Sequence, residues 1–101
     1  MRTIEEWQKH VYGIASNHGF HDGETPSTVP VSEKLCLIHA EVSEALEEHR
    51  NPEVTEHVYV KNGKPEGIAI ELADVVIRVM DLCEAMGIDL EAAMTTKSQF
   101  N

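Results

Sequence analysis

Pro65-Glu66-Gly67-Ile68-Ala69-Ile70-Glu71-Leu72-Ala73-Asp74-Val75-Val76-Ile77-Arg78-Val79-Met80-Asp81-Leu82-Cys83-Glu84-Ala85-Met86-Gly87 is the stretch whose periodicity settles the class of fold. Ile68, Leu72, Val75, Val79, Leu82 and Met86 return every three or four residues, which lines one face of an α-helix. Proline suits the first turn of a helix and glycine the position after its end. The spacing therefore predicts a helix starting near Pro65 or Glu66 and stopping at Gly87.

The flanking segments read the same way. Upstream, Ser32 is placed to cap a helix reaching Arg50, with Leu35, Ile38, Val42, Ala45 and Leu46 as its apolar stripe; Asn51-Pro52 ends it. From Glu53 to Pro65, Val58-Tyr59-Val60 has strand propensity and Asn62-Gly63 is a turn signal, so a short hairpin or an ordered loop fits. The first helix runs from Thr3, its N-cap, to His18, with a narrow stripe of Ile4, Trp7, Val11 and Ile14, and Gly19 stops it. Gly23, Pro26 and Pro30 make the next dozen residues a loop. Downstream, Asp89 caps a last helix carrying Leu90, Ala93, Met94, Lys97 and Asn101; it lacks a closing cap, and a natural continuation is expected. The expectation is one all-α domain over residues 1–101, a four-helix bundle.

The 101 residues carry a formal charge of −10, which argues against nucleic-acid polymers as partners. No apolar run approaches the length of a membrane span, and Glu5 and Glu6 stand where a secretory leader would be apolar. Cys36 and Cys83 form no CxxC pair, and buried free thiols in a cytoplasmic protein are the simplest account.

Two acidic pairs stand out, Glu41-x-x-Glu44 and Glu71-x-x-Asp74. Residues three apart on a helix lie on one side of it, and like charges there repel. At about 100° per residue both pairs border the apolar stripes, and Glu48, Arg78 and Asp81 continue those edges. If the two stripes pack antiparallel, four carboxylates converge. Such a cluster is either an acidic solvated rim or a site for a hard divalent cation such as Mg²⁺, which takes carboxylate oxygens.

Beyond the four acids, Lys34 to Glu47 and Pro65 to Arg78 resemble the two motif helices of the MazG-like all-α nucleoside triphosphate pyrophosphohydrolases. Gly87-Ile88-Asp89-Leu90 followed by Lys97 and Asn101 is similar to that family's closing segment, and Asn17-His18-Gly19-Phe20 to its opening corner. The resemblance covers most of the chain. It implies cleavage of a nucleoside triphosphate between the α- and β-phosphates, with Glu41, Glu44, Glu71 and Asp74 as Mg²⁺ ligands and catalytic acids, Mn²⁺ being a possible substitute. It also implies a homodimer or homotetramer, which would cover apolar faces that so small a bundle leaves open.

Lys34 and Lys97 are candidates for phosphate contacts, and Asn17 and Asn101 for hydrogen bonds to substrate; Lys34 is equally readable as a surface lysine on an acidic helix. Trp7 could stack on a base, but its place in the first stripe favours core packing. The six histidines include no HExxH, and they read as surface or structural groups. The competing functional readings are a non-catalytic acidic helical assembly or regulatory module, and a diphosphatase or pyrimidine-selective hydrolase of the same superfamily.

Overall fold

Thr3 opens helix α1 (Ile4–Asn17) with a reciprocal cap: its hydroxyl accepts the Glu6 backbone N–H, and the Glu6 carboxylate accepts that of Thr3, each at 3.1 Å. The computed structural model describes all residues from Met1 to Asn101. At the other end of α1, Gly19 takes a φ of +82°, and the Gly19 and Phe20 N–H groups return to the Ser16 and Ala15 carbonyls. Those two bonds satisfy carbonyls the helix leaves open. Gly87 repeats the arrangement behind α3 (Ile68–Met86), where the Gly87 and Ile88 N–H groups reach Glu84 and Cys83. Asp89 caps α4 (Leu90–Phe100) by accepting the Ala92 N–H at 3.0 Å.

Two predicted helix starts are corrected. Helix α2 (Val31–Arg50) contains Ser32 within its first turn, so Ser32 is not its cap. The helix begins directly behind Pro30, whose fixed φ already suits a helix start. Helix α3 begins at Ile68 because Pro65 and Glu66 are used otherwise. They belong to β2 (Lys64–Glu66), which pairs antiparallel with β1 (Tyr59–Lys61) in the register Tyr59 to Glu66, Val60 to Pro65 and Lys61 to Lys64. Asn62 and Gly63, both at positive φ, make the turn. Of the two readings of this segment, the hairpin holds. The fold is thus mostly helical, four helices with one small two-stranded sheet.

Gly67 joins the sheet to α3. Its φ is +117°, and a Cβ there would run into the His57 carbonyl oxygen, which accepts the Ala69 N–H at 3.1 Å. Only glycine tolerates both conditions.

The chain divides into two compact units, Met1–Val31 with Val79–Asn101, and Ser32–Arg78. The first unit has the apolar core: Val11, Val29, Met80, Leu82 and Ala85 are buried. Gln8 is buried among them. Its amide nitrogen donates to Glu84 at 3.0 Å and to the Ile88 carbonyl at 2.6 Å, while its oxygen accepts the Leu90 N–H at 3.4 Å. One side chain thereby satisfies backbone groups at the corner between α3 and α4, as buried polar atoms require. Trp7 is not core, contrary to expectation: it is 39 % exposed, with the Arg2 guanidinium 4.8 Å from its ring centre. Ile14 is exposed as well.

The second unit differs. Of the predicted α2 stripe only Ala45 is buried, while Leu35, Val42 and Leu46 are exposed. On α3, Leu72, Val76 and Ile77 range from 40 % to 52 % exposed. Glu41, a carboxylate, is 9 % exposed. Cys36 is exposed and Cys83 half-buried, both free, so the expectation of two buried thiols fails for Cys36. No helix is long and apolar enough to cross a membrane.

A candidate carboxylate metal centre

Within the second unit, α2 supplies Glu41, Glu44 and Glu48 at helical spacings of three and four, and α3 supplies Glu71, Asp74 and Arg78 at the same spacings. Oxygens of Glu41, Glu44 and Glu71 lie within 4.8 Å of one another. Oxygens of Glu48, Glu66 and Glu71 form a second such trio, so Glu71 belongs to both. Asp74, the fourth predicted acid, stands outside both trios; its side chain is one methylene shorter. Its carboxyl still feels the group: burial, and then the charge of Glu41, raise its pKa, while Arg78 opposes them.

The charges in this group are incompletely matched. Arg78 Nε donates to Glu41 Oε1 at 2.8 Å. Glu41 Oε2 and Glu71 Oε2 are out of solvent with no hydrogen-bond partner. A buried polar atom left unpaired costs on the order of 1–3 kcal/mol. Burial, reinforced by Glu44 and then by Asp74 and Glu41, pushes the Glu71 carboxyl up to about 7. A carboxyl so placed is biased toward its protonated form, and a cation can replace the proton. Tyr59 secures the outer end of the group by donating its hydroxyl to both Glu48 oxygens at 2.9 Å. That bond to Glu48, helped by burial, raises the phenol pKa and keeps the proton in place.

An all-oxygen donor set with two unpaired buried oxygens fits a hard divalent ion such as Mg²⁺ or Mn²⁺ and lacks the nitrogen and sulfur that zinc favours. Histidine does not enter it. His21, the buried histidine, lies in the other unit with its ring 3 % exposed, Nδ1 on Glu24 at 2.5 Å and Nε2 on Asp81 at 2.8 Å, stacked on Tyr12. Its two partners sit on opposite ring edges, so the three cannot close on one ion.

The predicted substrate contacts fall apart into the two units. Lys34 is on α2, seven residues before Glu41 and hence on the same helix face. Asn17 ends α1, exposed. Lys97 and Asn101 line an open groove of about 440 Å³ on α4 with Leu90, Met94 and Ser98.

Glu66 and Tyr59 escaped the sequence reading, while Glu48 and Arg78 were placed on the right helix edges but given no role. Glu48 and Arg78 carried a signal, since each lies four residues beyond a motif acid on the same face. Glu66 and Tyr59 reach the group only because they are cross-strand partners in the hairpin.

No family model matches the chain, and neither does any curated protein or any solved structure.

Proposed function

We propose that the chain is a Mg²⁺-dependent nucleoside triphosphate pyrophosphohydrolase of MazG-like type, releasing nucleoside monophosphate and pyrophosphate. The observation that carries the reading is the meeting of Glu41, Glu44 and Glu71 from two helices, with two buried oxygens lacking partners. The motif resemblance supplies the substrate class.

In this reading Glu41, Glu44 and Glu71 hold the cation, and Asp74 adds charge beside them. A divalent cation held by these carboxylates would supply screening of phosphate charge, polarisation of the α-phosphoryl group and acidification of the attacking water. Glu44, the exposed member of the trio, takes the proton of the attacking water. The new bond joins water oxygen to the α-phosphorus. The bond from that phosphorus to its bridging oxygen breaks, and pyrophosphate departs with the electron pair. Lys34, on the same face of α2, contacts phosphate as a point charge.

The test is a panel of common and damaged nucleoside triphosphates with Mg²⁺, scored for both products. Glu41→Gln and Asp74→Asn are expected to lower turnover by at least about 100-fold with helicity retained, the upper range for losing a group at a metal site. Release of orthophosphate would show that another bond is cut. Full turnover in both variants would remove the metal centre from the reaction.

The chain is further proposed to act as a homodimer or homotetramer in the cytoplasm. Leu35, Val42 and Leu46 on α2 and Leu72, Val76 and Ile77 on α3 are exposed apolar side chains that a second copy would cover.

A further inference from the structure

Glu41 is nearly buried, and its two oxygens are treated unequally. Oε1 receives the Arg78 Nε–H at 2.8 Å, whereas Oε2 receives nothing. A carboxylate on a helix can rotate about its terminal bond, and without an anchor either oxygen would face Glu44 and Glu71. With Oε1 committed, Oε2 is left for a cation. The guanidinium is suited to this task because Nε–H has one fixed direction in the plane of the fork, unlike the freely rotating ammonium of lysine. Arg78 lies four residues after Asp74 and seven after Glu71, so α3 delivers the arginine and two of the acids on one face. Its side chain is 43 % exposed, with Nε on Glu41.

We infer that Arg78 is a positioning residue, orienting Glu41 so that the group of Glu41, Glu44 and Glu71 can bind a divalent cation; this rests on the reading of those acids as a cation site. The alternative role for a guanidinium there is electrostatic, and it predicts the opposite sign. A positive charge beside a cation site repels the cation, so its removal by itself would tighten binding. Orientation predicts weaker binding, since losing a group that hydrogen-bonds a ligating carboxylate typically costs about 10–100-fold in metal affinity.

The experiment is calorimetric titration of Mg²⁺, repeated with Mn²⁺ by electron paramagnetic resonance, on the full chain without nucleotide. Arg78→Met, similar in length and without donor or charge, is expected to weaken Mg²⁺ binding about 10–100-fold with unchanged helicity. Arg78→Lys, which keeps the charge but not the Nε–H, is expected to weaken it at least about tenfold. Unchanged or tighter binding in Arg78→Met overturns the inference, and so does wild-type affinity in Arg78→Lys, which would show that the Nε–H of Arg78 is not needed. Should Arg78→Met fail to fold, the lysine variant decides. Absence of binding by the unsubstituted chain would fell the cation site itself and the inference with it, an outcome distinct from both.

Discussion

His21 sits between two carboxylates, Glu24 on Nδ1 and Asp81 on Nε2, with almost no access to water. Neutral imidazole has one N–H and one lone pair, so one of those contacts would set lone pair against lone pair. The imidazolium satisfies both. Burial alone lowers the His21 pKa, but Glu24 and then Asp81 outweigh it, and the net shift is upward from 6.5. A histidine held above its unfolded value contributes stability that is complete below the unfolded pKa and is lost as pH rises through the folded one. Denaturation in urea should therefore show stability declining above pH 6.5. Glu71, raised from 4.5 to about 7, adds a decline of its own between those values, so the share of His21 is the difference between the chain and His21→Asn. That variant should cost about 2 kcal/mol at pH 6, the scale of a buried charged hydrogen bond, and much less at pH 9. A constant cost across this range would show that His21 is neutral in the fold.

Among elements, both ends of α1, the start of α4 and the stop of α3 were legible because their causes are local. Thr3, Gly19, Gly87 and Asp89 act within a turn of where they stand. The start of α3 was not, because Pro65 has two good uses, first turn or edge strand, and the pairing of Lys61 with Lys64 decides between them. The acid pairs were legible from spacing alone, and so was the helix face of Arg78. The partner of Arg78, the unpaired Oε2 atoms and the arrival of Glu66 were not, since they depend on how side chains from distant segments meet. Gly67 belongs to this scale too. Gly67→Ala forces the His57 carbonyl away and strains a φ of +117°. Glu71 is four residues further and donates its N–H to the Gly67 carbonyl at 3.0 Å. The substitution should cost about 1–3 kcal/mol in unfolding free energy and weaken Mg²⁺ binding although no acid is changed. Unaltered affinity would show that the first turn of α3 is anchored elsewhere.

For the molecule as a whole, the apolar stripes of α2 and the early part of α3 were legible in the sequence, but their burial was not. A periodic pattern says which residues share a face and not what covers it. Sedimentation of the purified chain should give at least a dimer. Leu46→Glu together with Val76→Glu should shift the sedimenting species to monomer if these faces are covered by a second copy; an unshifted oligomer would place the contact on another surface. Between Ser32 and Arg78, Ala45 is the single hydrophobic side chain that is buried, with Ile38, Val54, Ile68, Ile70 and Val75 half-buried. A stretch with so little buried apolar surface of its own is expected to lean on what binds it. Anything that binds only the ordered form stabilises it by mass action. If a second copy and a cation bind this stretch as proposed, dilution and chelator should lower the temperature at which it melts, and concentration and magnesium should raise it, tying its order to the supply of both.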